Sequence, residues 1–242
     1  MDKFLVTGGA GFIGSNICTK LVSQGCSVRV IDNLLTGKKS NLAGIADKIE
    51  FIEADMGNAD VARAAMKGID VVLHEGALPS VPRSIDDPAL TLRHCVDATF
   101  TLLMAARDAK IKRFVYAASS SAYGDTPILP KVETMPVNPL SPYAAAKLMC
   151  EYYCSVFYKV FGLETISLRY FNVFGPNQDP TSQYAAAIPA FVTSILKDTP
   201  PTIYGDGEQS RDFTYVDNVV EANLLAARAK QTKGEVINIA CG

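Results

Sequence analysis

Near the start of the chain the apolar run Phe4-Leu5-Val6 passes through Thr7 straight into Gly8-Gly9-Ala10-Gly11-Phe12-Ile13-Gly14, and a helical pattern over 12–24 follows. Gly8, Gly11 and Gly14 are spaced three apart between a strand and a helix, which is the context a glycine trio requires. Glycine permits the tight turn, lets backbone N–H groups come close to an anion, and allows the helix to pack against the strand. The helix N-terminus then points its unpaired N–H groups at that anion. This segment predicts the first strand-turn-helix unit of a dinucleotide-binding fold.

The rest of the chain keeps the same rhythm. Short apolar or β-branched runs recur at 27–32, 49–54, 70–75, 112–118, 164–169 and 235–240, separated by helical patterns near 58–67, 86–109, 141–161, 183–197 and 216–229. Strands of this kind, alternating with helices, predict a parallel sheet of about seven strands covered on both faces: an α/β, doubly wound architecture. Residues 172–212 break the rhythm with Pro, Gly, Asn, Gln and Tyr, and they are expected to form a separate lobe or long functional loop. The cofactor-binding domain is accordingly expected over 1–171 and 213–242.

Composition narrows the function classes. A net charge of −2, with both signs interspersed, leaves no electrostatic footprint for nucleic acid or an anionic membrane. No apolar stretch approaches the ~20 residues of a membrane span, and no signal-peptide pattern precedes the glycines. The six cysteines are scattered, so reduced thiols and a cytoplasmic location are expected. Cys150 and Cys154 lie one helical turn apart, but neither His74 nor His94 supplies the other half of a metal site, and none is expected.

Two further places carry chemistry. The second strand ends at Asp32, eighteen residues past Gly14, where a carboxylate would bond an adenosine ribose and repel a 2′-phosphate, favouring NAD over NADP. Asp55-Met56 closes the third strand, either at an adenine amino group or in a surface turn. Tyr143 and Lys147 stand four apart behind a Ser-Pro, on one face of the helix at 141–161. A free phenol, with a pKa of about 10, is a poor base at neutral pH unless a cation lies near. Lys147 and an oxidised nicotinamide are such cations. The fifth strand closes on Ser119, Ser120 and Ser121, hydroxyls that could hold an alcohol against the phenol while a hydride leaves.

TGGAGFIG, ASSSAYG, SPYAAAK, LRYFNVFGP and GDGEQSRDFTYVDN, in that order, resemble the extended short-chain dehydrogenase/reductases, and among them the NAD-dependent nucleotide-sugar epimerases. HEGALPSVPRSIDDP and NQDPTSQYAA look most like the bacterial UDP-N-acetylglucosamine 4-epimerase branch. The resemblance implies a Rossmann domain with residues 172–212 in the nucleotide-sugar lobe, and NAD as cofactor. Tyr143 would be the catalytic base, Lys147 its partner on the nicotinamide ribose, and Ser119 the catalytic hydroxyl, four residues before the Tyr123-Gly124 pair. Phe12, Ile13, Asn33, Gly37, Gly76, Ala77, Ala117, Tyr170 and Val173 would join Gly8, Gly11, Gly14, Asp32, Asp55 and Met56 around the cofactor. Ser80, Ser120, Ser121 and Asn172 would face the sugar, with Arg211 gripping the UDP diphosphate as a bidentate guanidinium can. Relatives usually carry Asn where this chain has Cys95.

The expected reaction is 4-epimerisation of a UDP-hexose through a transient 4-keto sugar, in a homodimer built on the helices at 86–109 and 141–161. Relatives that dehydrate carry an Asp-Glu pair after the catalytic hydroxyl, and those that decarboxylate carry a Glu. Ser120 and Ser121 stand there instead, which disfavours both. Relatives also continue beyond the last strand, so the substrate lobe is expected to be incomplete. That makes an NAD or nucleotide-sugar binding module with little turnover the second reading.

Overall fold

The computed structural model of the chain describes residues 2–180, 187–203 and 205–241. All seven expected strands form one parallel sheet. In chain order the elements are β1 (Lys3–Thr7), α1 (Phe12–Ser23), β2 (Ser27–Asp32), β3 (Ile49–Glu53), α2 (Ala59–Ala65), β4 (Val71–His74), α3 (Val81–Asp86), α4 (Pro88–Thr91), α5 (Ala98–Asp108), β5 (Arg113–Ser119), α6 (Pro142–Phe161), β6 (Thr165–Tyr170), β7 (Val173–Phe174), α7 (Ala187–Leu196), β8 (Thr214–Tyr215), α8 (Val216–Arg228) and β9 (Glu235–Ile239). The sheet order is β3-β2-β1-β4-β5-β6-β9, and β7 pairs with β8 in a separate two-stranded ribbon.

Alternation along each strand explains why both faces are covered. Phe4 and Val6 of β1 pack with Ile17 and Leu21 of α1 and with Val219, Val220 and Leu224 of α8. Leu5 points the other way, into the layer of Leu102 and Leu103 from α5 and Cys150, Cys154 and Phe157 from α6. β5 repeats the division, with Phe114, Tyr116 and Ala118 on one face and Val115 and Ala117 on the other. A strand buried on both sides reads as a continuous apolar run, which is why these segments stand out in the sequence.

The helix expected over 86–109 runs without a gap from Pro88 to Asp108, as α4, a π-helical stretch and α5 in direct succession. Asp87 caps a new turn at Pro88, and a π-helical stretch over Leu92–Asp97 precedes α5. Proline cannot donate the hydrogen bond that would carry the preceding helix through, so Val81–Asp86 ends before it. Of the helix expected at 183–197, residues 187–196 form α7, and 183–186 lie outside the described residues. A 3-10 segment over Lys39–Lys48 connects β2 to β3.

Strand order reverses between β1 and β4. In a doubly wound sheet a ligand crevice opens at such a switch point, beyond the C-terminal ends of the strands. The side chains discussed below gather there.

Candidate active site

A cleft of about 780 Å³ opens at the switch point. Its wall takes Gly8 after β1, Asp32 at the end of β2, Met56 after β3, Gly76 after β4, Ala117 of β5 and Tyr170 of β6. Gly8 has a φ of +64°, and a Cβ there would fall 2.6 Å from the Gly76 Cα. A Cβ on Gly76 would in turn strike the Met56 side chain at 2.7 Å. Gly14 lies against the Gly8 carbonyl and the Gly9 Cα, so any side chain would force α1 off β1. The two backbones thus meet in a cradle that only glycines allow, at the N-terminus of α1, as a pyrophosphate requires.

Asp32 is anchored from both sides. Its Oδ2 accepts from the Ala10 N–H at 3.0 Å and its Oδ1 from the Leu34 N–H at 2.8 Å. Burial raises its pKa, opposed by these two backbone bonds. A Cβ on Gly37 would lie 2.9 Å from both carboxylate oxygens, so the glycine keeps the carboxylate in place. Asn33 and Gly37 line the same end of the cleft.

Behind the cradle a buried polar chain ties β1, β4 and α5 together. Thr7 Oγ1 accepts from the Gly76 N–H at 3.1 Å and lies 2.6 Å from His74 Nδ1, while His74 Nε2 lies 2.8 Å from Thr99 Oγ1. Thr99 Oγ1 donates to the Cys95 carbonyl and therefore accepts from His74 Nε2, so the network assigns the ring proton to Nε2 and the Thr7 hydroxyl proton to Nδ1. Burial, followed by the Lys147 charge, lowers the His74 pKa to about 3, so the ring is neutral and fixes the strand ends.

On the opposite wall α6 presents Tyr143 and Lys147. Ser141 caps the helix by accepting from the Ala144 N–H at 3.1 Å, Pro142 occupies its first turn, and Gly162 closes it with a φ of +71°. Lys147 is only 4% exposed, which excludes a solvated helix face. Its Nζ donates to the Ala117 carbonyl at 2.8 Å and lies 6.0 Å from the centre of the Tyr143 ring and 5.1 Å from that of Tyr116. Burial works against the ammonium, but the acidic groups around it, Tyr143 foremost, hold its pKa above that of free lysine. The cation is therefore fixed in the cleft wall beside a phenol.

Ser119 stands at the end of β5 opposite Tyr170 of β6. Its Oγ accepts from the Ser121 N–H at 3.2 Å and lies 2.8 Å from the Ser121 Oγ, holding Ser120 and Ser121 in a 3-10 turn. Beneath that turn Arg169 makes a two-pronged bond to Glu151, at 3.0 and 2.7 Å, and stacks 4.6 Å from the Tyr123 ring. Tyr123 OH donates to Asn238 at 2.7 Å, tying the turn to β9.

The cleft gathers Gly8, Gly11, Phe12, Ile13, Gly14, Asp32, Asn33, Gly37, Met56, Gly76, Ala77, Ser80, Ala117, Tyr143, Lys147 and Tyr170. It does not gather the others. Asp55 is turned back into its own loop, accepting from the Gly57 N–H at 2.8 Å, so of the Asp55-Met56 pair only Met56 reaches the cleft. Ser119, Ser120 and Ser121 follow Ala117 and Ala118 of its wall in the chain but do not line it. Val173, Asn172 and Arg211 share a second depression of about 160 Å³ beside the β7-β8 ribbon, because β7 leaves the main sheet to pair with β8. Cys95 is buried behind the cleft, its thiol 3.7 Å from the Leu78 carbonyl.

Sequence reasoning missed several lining residues. Glu75 follows β4 directly, and its Oε1 accepts from the Tyr170 hydroxyl at 2.8 Å. Lys38 pairs with Asp179 at 2.8 Å, and Asn177 donates to Ser15 Oγ at 3.0 Å, so the start of the 172–212 segment is tied to α1. An acidic residue inside VVLHEGAL was the one visible signal. The other contacts join positions too distant in the chain for any local pattern to mark.

The fold, the glycine cradle and the anchored Asp32 define a dinucleotide-binding domain. A family model described as the NAD dependent epimerase/dehydratase family matches residues 4–240, and the chain belongs to that family, with NAD as its cofactor. It superimposes with a TM-score of 0.95 on a UDP-N-acetylglucosamine 4-epimerase from Methanobrevibacter ruminantium in complex with UDP-N-acetylmuramic acid, at 43% identity over 100% of this chain and 77% of that one. The NAD complex of Thermus thermophilus UDP-glucose 4-epimerase matches with a TM-score of 0.90, 36% identity, and coverage of 99% and 78%. A putative UDP-glucose 4-epimerase of Methanocaldococcus jannaschii is 41% identical over 98% of this chain and 76% of its own length.

Proposed function

We propose that this protein catalyses the NAD-dependent 4-epimerisation of a UDP-hexose, either the UDP-GlcNAc/UDP-GalNAc pair or the UDP-Glc/UDP-Gal pair, through a transient 4-keto sugar. The observation that carries the reading is the buried Lys147 ammonium, bonded to Ala117 and set beside Tyr143 in the wall of the cofactor cleft. Bound NAD supplies a reversible hydride acceptor. Tyr143 takes the proton of the sugar 4-hydroxyl and later returns it. Lys147 stabilises the phenolate and donates to the nicotinamide ribose. Ser119 holds the same hydroxyl in line.

Residues 1–171 and 213–242 act as the cofactor half, with Val173 and Asp55 at its margin. Residues 172–212 contribute Asn172 and Arg211 to the substrate side, where Arg211 clamps the diphosphate and Ser80, Ser120 and Ser121 meet the sugar. Ser120 and Ser121 lack the acidity that dehydration or decarboxylation needs at this position, which favours epimerisation within the family. The apolar side chains left exposed on α5 and α6, among them Phe100, Met149, Tyr152 and Val156, support a homodimer through these helices.

The test is to incubate the protein with each UDP-hexose and NAD and resolve the epimers by proton NMR. Equilibration of one pair, with no keto or dehydrated product accumulating, is expected. NAD binding without conversion of either pair would leave a cofactor-binding module instead.

A further inference from the structure

Of the carboxylates that line the cleft, Asp32 is anchored beside the glycine cradle and Asp179 pairs with Lys38, whereas Glu75 has a place in neither the cradle nor the Tyr143–Lys147 pair. It sits half-buried between His74, which is neutral, and Gly76, whose backbone backs Gly8. Its Oε1 accepts from Tyr170 OH at 2.8 Å, and that hydroxyl accepts from Asn223 Nδ2 of α8 at 2.7 Å. Asn223 is itself held by the Val219 carbonyl at 2.9 Å. The carboxylate is thus tied through Tyr170 to a fully buried helix position.

The charged and titratable groups around it come from four elements. From α6 the Lys147 ammonium acts on it, and through Lys147 it shares a field with Tyr143. From β6 it faces the neutral Tyr170 hydroxyl, whose pKa burial and then Glu75 itself raise well above that of free tyrosine. From α1 it acts on the Cys18 thiol, as does Asp32 at the end of β2. Burial pushes the Glu75 pKa up to about 7, with the Tyr170 bond and Lys147 opposing.

Building on the NAD reading, we propose that Glu75 is the charge-compensating residue of the cofactor cleft: ionised against the cationic oxidised nicotinamide, and protonated from solvent when that positive charge is lost on reduction. His74 pairs with Tyr116 across β4 and β5, so Glu75 follows beside Ala117, whose carbonyl holds Lys147, and all three line the same cleft as Tyr143. Removing a positive charge from this enclosure raises the proton affinity of any carboxylate within it, whatever the detailed pose. A carboxylate already balanced near neutrality answers such a change by titrating. The proton count closes with one more proton at Glu75 in the complex with reduced cofactor, and Tyr143→Phe separates that proton from any that the phenol takes up.

The sign follows from linkage. NADH binding takes up more protons than NAD+ binding, so NADH is favoured at low pH and loses ground as pH rises through the Glu75 pKa. The experiment is isothermal titration of nucleotide-free protein with NAD+ and with NADH, in two buffers of different ionisation enthalpy, between about pH 6 and pH 8. The ratio of dissociation constants, NADH over NAD+, is expected to rise about tenfold across that range, as a shift of one unit or more produces. Glu75→Gln keeps an acceptor for Tyr170 and should flatten the ratio, while Tyr143→Phe should leave the slope in place. Equal proton uptake for both nucleotides in wild type overturns the inference, and it does so without any variant. If neither nucleotide binds, the NAD reading fails first and takes this inference with it.

Discussion

The cofactor half and the 172–212 segment are held together in different ways. Around the cofactor, the five inner strands β2, β1, β4, β5 and β6 are buried along nearly their whole length, and several groups of the cleft are held at strand ends or helix turns by partners of their own. Lys147 has Ala117, Asp32 has Ala10 and Leu34, and Thr7 has His74 and Gly76. On the other side, the described residues of α7 include none that is buried, and Phe191, Val192, Ile195 and Leu196 all stand exposed. Arg211 bonds only to the neighbouring Ser210 carbonyl among its hydrogen-bond partners described here. The comparison teaches that the cofactor cleft is built into the sheet, whereas the described residues of α7 lie outside its core.

The largest effect expected from breaking the first region is chemical. Tyr143→Phe removes a single oxygen, and epimerisation should fall by about 10²–10⁴-fold while NAD binding is kept, because a general acid-base group contributes that much. Steady-state rates with a fluorescence titration of the cofactor separate the two. Next in size is packing. Leu102 is fully buried beneath the sheet, so Leu102→Ala should cost about 2–5 kcal/mol in denaturant unfolding.

How much was legible in advance follows the same division. The five inner strands could be read because two-sided burial writes them as apolar runs, the edge strands β3 and β9 because apolar residues recur among polar ones in them, and the cradle because only glycine fits where Gly8 meets Gly76. Tyr143 and Lys147 were visible because helical spacing alone places them on one face. The start of the helix at Pro88 was readable from the proline and the capping Asp87, whereas the π-helical turn over Leu92–Asp97 leaves no mark in the apolar pattern. Glu75 was not legible, since its role depends on Tyr170 and Asn223, brought to it only by the packing of β6 and α8. Nor was the Lys38–Asp179 pair, whose partners lie on different elements with most of the sheet between them in the chain. Asp55 carried two readings, and a short turn to Gly57 took its side chain.

Smaller effects sharpen the contrast on the substrate side. Arg211→Ala should raise the KM for the UDP-hexose roughly tenfold or more, since hydrogen bonds to charged groups are worth about 1.5–3 kcal/mol. NAD affinity should stay within about twofold. An equal loss of NAD affinity would mean that the two depressions act as one site. Smallest of all, Ile195→Ser on exposed α7 should change stability by no more than about 0.5 kcal/mol, against the severalfold larger cost of Leu102→Ala.

The central claim is that hydrogen leaves and returns to C4 as a hydride held inside the cleft, with Tyr143 handling only the hydroxyl proton. Substrate carrying deuterium at C4 tests it directly, incubated in ordinary water and followed by NMR and mass spectrometry as the epimers equilibrate. The account predicts that both epimers keep the deuterium at C4 in full, because a hydride carried on a nicotinamide does not exchange with solvent. Loss of the label to water in step with epimerisation would mean that a proton, not a hydride, moves at that carbon, and would contradict it.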